Sequence, residues 1–159
     1  MNYTKGGAAM EKYVVFRMRD EYFGVPIHQV QAIEKVTDFT KVPQAPEYVK
    51  GITELRGEVT TVIDLRSLLN IGQTDTESEA RILIVHVEGL RIGLMVDEAK
   101  EVVDLDEETI EQPPQMVGGV KEEYIQGVSK QQDRLLILVN LQKVLNVEQL
   151  EQVKEAVEA

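Results

Sequence analysis

Apolar positions along the chain come in short runs of four to six residues bounded by glycine, proline or charge: Tyr13-Val14-Val15-Phe16, Tyr22-Phe23-Gly24-Val25, Val59-Thr60-Thr61-Val62-Ile63, Ile82-Leu83-Ile84-Val85, Arg91-Ile92-Gly93-Leu94-Met95-Val96 and Leu135-Leu136-Ile137-Leu138-Val139. Runs of this length, rich in β-branched and aromatic residues, predict strands. Nothing between them has the regular helices of about ten to fifteen residues that a parallel βαβ sheet needs, so the pattern predicts a mainly β fold. Helical spacing is sustained only near the C-terminus. There Val147, Leu150, Val153 and Val157 recur every three or four residues among Glu and Lys, predicting an amphipathic helix. Shorter helical turns are expected over 27–33, 45–50 and 65–69.

The runs also repeat. Phe23-Gly24-Val25 with Val30 and Ile33 returns 69 residues later as Ile92-Gly93-Leu94 with Ala99 and Val102. Tyr48-Val49-Lys50-Gly51 returns as Tyr124-Ile125-Gln126-Gly127, and Ile63-Asp64-Leu65 as Val139-Asn140-Leu141, both at an offset of 76. A single insertion of seven residues in the second copy, around Pro113 to Gly119, reconciles the two offsets. Common order and spacing point to an internal duplication. A unit of roughly 65 residues buries only about 60% of its unfolded surface and is marginal alone. Two such units are therefore expected to pack on each other, each sheet closing into a barrel that protects its edges. The expected layout is a flexible segment over 1–10, a first barrel over about 11–72, a polar linker over 73–79, a second barrel over about 80–146 and a helix over 147–159.

Charge narrows the function. The chain has 17 Lys and Arg against 28 Asp and Glu, a formal net charge of −11, and only 5% aromatic residues. This balance repels phosphate backbones and anionic headgroups, so neither nucleic-acid binding nor membrane insertion is expected. No apolar run approaches the roughly 20 residues of a membrane-spanning helix, and the first residues lack the apolar stretch of a secretion signal, so a cytoplasmic location is expected. The absence of cysteine removes disulfides, thiolate nucleophiles and thiolate metal sites. His28 and His86 sit far apart inside apolar runs, without a second ligand or nucleophile nearby, and read as structural. Gly6-Gly7 and Gly118-Gly119 lack the strand–loop–helix setting of a phosphate loop. Carboxylates run as Asp104-Leu105-Asp106-Glu107-Glu108, a pattern of solvated faces and turns. Neither catalysis nor a cofactor is expected.

One departure between the copies stands out. Under the offset of 76, Arg56-Gly57 falls opposite Gln132-Asp133, so Arg56 belongs to the first copy alone. A guanidinium is a rigid fork of donors suited to a carboxylate, and Gly57 permits a tight turn beside it. Arg56 is a candidate for contact with a partner; the alternative is a surface salt bridge with Glu34, Glu54 or Glu58.

The succession Tyr22-Phe23-Gly24-Val25-Pro26-Ile27, Val30-Gln31-Ala32-Ile33, Val42-Pro43, Ala45-Pro46, Tyr48-Val49-Lys50-Gly51, Leu55-Arg56-Gly57, Val62-Ile63-Asp64-Leu65-Arg66 and Gly93-Leu94-Met95-Val96-Asp97 resembles the CheW-like family of bacterial chemotaxis coupling proteins. The resemblance covers about Glu11 to Asn146. It implies two five-stranded SH3-like barrels in a pseudo-twofold arrangement. It also implies a non-enzymatic adaptor that couples the cytoplasmic tip of methyl-accepting chemotaxis receptors to the regulatory domain of a CheA-type histidine kinase. With neither a kinase catalytic domain before the matching region nor a response-regulator domain after it, the chain resembles a stand-alone coupler. A soluble monomer recruited to membrane receptor arrays is the corresponding expectation.

Carried over by position, a receptor groove between the two lobes would involve Val30, Ile33, Arg56 and Val102. A family acidic residue that can pair with the motif arginine falls at Ala32 here. Arg56 is thus expected to meet less local competition, pairing with Glu34 or reaching a receptor carboxylate. The kinase contact maps onto Val42 to Gly51, with Val42, Tyr48, Val49, Lys50 and Gly51 as candidates. A lateral contact that closes kinase–coupler rings maps onto Met116, whose flexible thioether suits a re-packable surface. Two alternatives compete. The same fold could scaffold another kinase or receptor system, since partner choice lies in surface detail. A β-rich small-ligand or hydrolytic domain would use the carboxylates of 97–111, but lacks paired acids on a recognisable scaffold.

Overall fold

The computed structural model describes residues 10–75, 79–131 and 133–158. Its strands are β1 (Met10–Met18), β2 (Glu21–Pro26), β3 (Val30–Lys35), β4 (Val49–Leu55), β5 (Glu58–Asp64), β6 (Arg81–Val87), β7 (Leu90–Val96), β8 (Glu98–Asp106), β9 (Met116–Val117), β10 (Val120–Lys121), β11 (Ile125–Lys130) and β12 (Leu135–Val139). Helices are α1 (Leu65–Leu68), α2 (Leu141–Val144) and α3 (Val147–Glu158). The six apolar runs are all strands. Of the three short helical turns expected, 65–69 forms as α1 and 27–33 only in part, as a single 3-10 turn, Ile27–Gln29, that leads straight into β3, while 45–50 is one non-helical turn at Glu47-Tyr48 and the start of β4. The β-branched Val30 and Ile33 pair there with β6 instead of following a helical period. Residues 1–9 lie outside the described part, but Met10, expected to be flexible, opens β1 opposite Asp106.

Two five-stranded sheets form, in the orders β11-β12-β2-β1-β8 and β4-β5-β7-β6-β3. They do not divide the chain at 72–80. The hairpin β1–β2 of the first copy joins β8, β11 and β12 of the second, and the hairpin β6–β7 of the second joins β3, β4 and β5 of the first. The exchange is reciprocal and uses the same junction twice: β12 runs parallel to β2 with Leu138 opposite Gly24, and β5 runs parallel to β7 with Val62 opposite Gly93. Contiguous apolar runs could not disclose it, because a hairpin satisfies the same pattern on either sheet. Chain leaving each outer strand then pairs with the opposite edge, through Thr40 and Ile52 in one sheet and Glu111 and Val128 in the other, which closes both sheets into barrels. We call them the β1 barrel and the β3 barrel.

These bridges also relocate the insertion. Thr40 and Glu111 are 71 residues apart, and Ile52 and Val128 are 76 apart. Two of the seven extra residues therefore precede Glu111, in a β8 longer than β3. The other five lie between Glu111 and Tyr124, where the hairpin β9–β10 is built.

Successive residues of a strand face opposite sides, and here both sides are buried. Val14, Phe16 and Phe23 meet Leu83, Val85, Ile92 and Leu94 in a layer shared by the two barrels, with the Phe16 and Phe23 rings stacked at 6.0 Å. Tyr13, Val15, Leu136 and Leu138 fill the β1 barrel; Val62, Ile82, Ile84 and Met95 fill the β3 barrel. From α3, Leu150 and Val153 are buried, Leu150 within the shared layer.

Candidate partner-binding site

The outer strands β3 and β8 occupy the same place in the repeat. Val30 and Ile33 stand opposite Val85 and Leu83, and Val102 stands opposite Val14, all three partners belonging to the shared layer. Antiparallel partners point to one face of their sheet. Val30, Ile33 and Val102 therefore lie on the shared-layer side, at its two rims. Val30 is half-buried, whereas Ile33 is 44% and Val102 48% exposed. Single exposed apolar residues are ordinary; two repeat-equivalent ones at opposite rims of one layer form the frame of an interlobe contact. Exposed Met10 and Ile27 adjoin these strands. Sequence reading missed both, Met10 because it was taken with the N-terminal segment.

Arg56 projects from the β4–β5 turn, where φ is +53° at Arg56 and +80° at Gly57, the pair of positive values that a two-residue hairpin turn requires. Its Nη1 donates to Glu34 Oε2 at 3.3 Å, beside Ile33 on β3. The structure thus brings Arg56 to β3 at Glu34, whose side chain is on the face opposite Ile33, with Ala32 on the β3-barrel side. Of the two expected outcomes for Arg56, the pairing with Glu34 forms, and with Ala32 packed against Ile84 inside the β3 barrel it is Glu34 that competes for the guanidinium.

The Val42 to Gly51 candidates do not share one face. Val42, Val49 and Lys50 line a shallow cleft of about 270 Å³ with Ala45 and Pro46. Tyr48 turns inward: its hydroxyl donates to Gln149 Oε1 of α3 at 2.5 Å, and burial raises its pKa. Gly51 is buried, with φ +146°. Tyr48 and Gly51 recur as Tyr124 and Gly127, and that recurrence was the available sign that they serve the barrels. Val49 lines the cleft and also packs on the shared layer, so it is part core. Met116 is exposed on the β9–β10 hairpin, beside a depression of about 510 Å³ lined by Gln115, Lys121, Glu122 and Glu123. The hairpin packs on the β1 barrel through Gly118 and Ile137, so Met116 and Val42 belong to different barrels.

Two motif residues without an assigned role hold the barrels together. Asp97, between β7 and β8, accepts from Arg66 Nη1 at 3.1 Å and from the backbone N–H of Arg19 at 2.6 Å. Arg17 adds a 2.9 Å bond to Glu98, which holds that carboxyl below the usual carboxylate range. Glu107 and Glu11 make one acid pair: a hydrogen bond to Glu11 raises the pKa of Glu107, with burial and the charges of Glu11 and Asp106 adding to it. Glu107 is exposed, so the pair lacks the dry cleft that general acid–base chemistry uses. His28 faces Glu11 at 3.3 Å and His86 faces Gln31 at 2.7 Å, both at the surface. Among the described residues no group of three or more His, Asp or Glu could hold a metal ion, and no helix is long and apolar enough to cross a membrane.

Comparison with known proteins gives the same architecture a lineage. Residues 12–149 match the CheW-like domain. The chemotaxis protein CheW of Bacillus subtilis is 36% identical over 138 residues, covering 87% of this chain and 88% of its own. That of Treponema pallidum is 32% identical over 142 residues, covering 87% and 84%. The crystal structure of the scaffolding protein TtCheW from Thermoanaerobacter tengcongensis superposes with a TM-score of 0.78 at 32% identity, over 92% of this chain and 96% of that one. The chain belongs to the CheW-like family of chemotaxis scaffolding proteins.

Proposed function

We propose that this chemotaxis scaffold couples methyl-accepting receptors to a CheA-type histidine kinase without chemistry of its own. The observation that carries the receptor side is the repeat-equivalent pair Ile33 and Val102, exposed at the two rims of the shared layer, with Arg56 held to Glu34 on the same strand as Ile33. A helical hairpin laid along this face would bury both apolar rims at once and meet a guanidinium at its edge. The cleft at Val42, Val49 and Lys50 suits the kinase regulatory domain, and Met116 suits a lateral contact from the other barrel. Recruitment to receptor arrays follows from the receptor contact and needs no membrane segment in this chain.

Co-sedimentation of the purified protein with receptor-bearing membranes and a CheA-type kinase tests the reading. Retention of kinase on the membranes only when the protein is present supports coupling, and retention independent of it sinks the proposal. Arg56→Glu is expected to weaken receptor binding at least tenfold, because it sets like charges against Glu34 and the partner's acid, with little change in kinase binding. Melting temperature should hardly move, since an exposed ion pair contributes under about 1 kcal/mol. An unchanged receptor affinity would remove Arg56 from the interface.

A further inference from the structure

The β9–β10 hairpin has no counterpart in the repeat. It is built where the segment from Glu111 to Tyr124 is five residues longer than the one from Thr40 to Tyr48. Its two rungs, Met116 opposite Lys121 and Val117 opposite Val120, are too few to hold a hairpin by themselves, so its place is set by what it rests on. Along its strands the support is apolar: Val120 is buried in the shared layer and Val117 packs against it. At the turn the support is polar. Arg19 Nη2 donates to the Gly118 carbonyl at 2.6 Å. A Cβ on Gly118 would meet Ile137 at 2.8 Å, and one on Gly119 would meet Ile71 at 3.1 Å and Arg19 Nη2 at 3.2 Å. The glycine turn is thus seated between the β1–β2 turn, the chain after α1, and β12.

Nothing in the β1–β2 turn itself calls for an arginine. The φ of Arg19 is +56°, a left-handed value that favours glycine. The bonds that hold the turn use only its backbone: the N–H donates to Asp97 Oδ2 at 2.6 Å, and the carbonyl accepts from Arg17 Nη1 at 2.7 Å. The side chain is left for the hairpin, 99 residues further along the chain. The repeat sharpens the point. At the equivalent turn, with φ +50°, stands Glu88, on the barrel that has no hairpin to hold. Arginine and insertion thus depart from the repeat together. We propose that Arg19 is the positioning residue of the lateral contact: by pinning the Gly118-Gly119 turn it holds the hairpin on the β1 barrel and fixes Met116 beside the depression lined by Gln115, Lys121, Glu122 and Glu123. This role rests on the reading of Met116 given above. A methionine side chain has three rotatable bonds, so a defined contact through it needs a backbone that is already fixed.

Arg19→Gly removes the guanidinium alone, since both backbone bonds remain and glycine adopts φ +56° without strain. Hydrogen exchange at the backbone amides of 116–121 is expected to become about tenfold faster, with the amides of β12 and the melting temperature unchanged. Binding is read from single thiols, because the chain has no cysteine: Gln115→Cys beside Met116, and Glu47→Cys at the cleft on the β3 barrel. The concentration of a CheA-type regulatory domain that half-protects the thiol from maleimide should rise about fivefold at Gln115→Cys when Arg19→Gly is added, and stay the same at Glu47→Cys. Arg19→Lys keeps a charged donor and should fall between the parent and Arg19→Gly in both measurements. Unchanged hairpin exchange in Arg19→Gly overturns the anchoring. Faster exchange with unchanged protection at Gln115→Cys makes Arg19 a merely structural residue and overturns its positioning role. If the parent background protects Glu47→Cys and never Gln115→Cys, the lateral reading of Met116 itself falls and takes the role of Arg19 with it.

Discussion

Gly51→Ala is expected to destabilise the protein by about 3 kcal/mol or more, seen as a fall of at least about 6 °C in melting temperature. At φ +146° the backbone is in a region that L side chains rarely adopt. A Cβ there would also lie 2.5 Å from the Thr40 carbonyl oxygen. That oxygen cannot withdraw cheaply, because it accepts the Ile52 N–H at 2.8 Å in the bridge that closes the β3 barrel. Strain and collision therefore act at one place. The repeat supplies an internal control. At Gly127 no positive φ is imposed, and the atom nearest a new Cβ is the side-chain Cγ2 of Ile110, which can turn aside, although the Glu111 carbonyl stays at 3.0 Å. Gly127→Ala should cost clearly less than Gly51→Ala. Equal melting temperatures for the two variants would show that barrel closure does not depend on the Thr40 bridge.

The same glycine shows where sequence reading stops. Gly51 was legible as part of a repeated motif but was taken for a contact residue, since a motif does not say whether it serves the barrel or a partner. The copies hold that distinction. Tyr48 and Gly51 recur as Tyr124 and Gly127 and are engaged inside the fold, by the bond of Tyr48 to Gln149 and the left-handed backbone of Gly51, whereas Arg56 does not recur and meets Glu34 on β3. Strands buried on both faces were legible as apolar runs. Those at the edges were not: β3 alternates half-buried and exposed residues, and β8 has a single buried residue and is rich in charge, so its carboxylates read as solvated faces and turns. The reciprocal exchange of hairpins was hidden for another reason. Pairing partners that are far apart in the chain leave no local trace, and two copies with the same pattern make a hairpin equally acceptable to either sheet.

That exchange has a consequence for the rigidity of the fold. Because each barrel borrows two strands from the other copy, neither can open without disturbing the shared layer of Phe16, Phe23, Leu83 and Ile92. Asp97 adds a polar tie between the β1–β2 turn and α1.

Ile33→Glu and Val102→Glu are each expected to lower affinity for a receptor hairpin fragment by about a hundredfold, while leaving the melting temperature within about 2 °C of the parent. A hundredfold loss corresponds to roughly 2.7 kcal/mol, in the range set by desolvating an unpaired carboxylate at the centre of an interface. The fold should tolerate both changes, because each side chain is already close to half exposed and its place in the strand ladder is held by backbone bonds to β6 or β1. The two positions lie on different barrels, so a partner that engages only one lobe would feel only one of them. A hairpin spanning the shared layer must feel both, and the double variant should then abolish measurable binding. Titration calorimetry with the same fragment separates the cases. A loss confined to Ile33→Glu would shift the interface onto the β3 barrel and Arg56, and no loss in either variant would place the receptor away from the interlobe face.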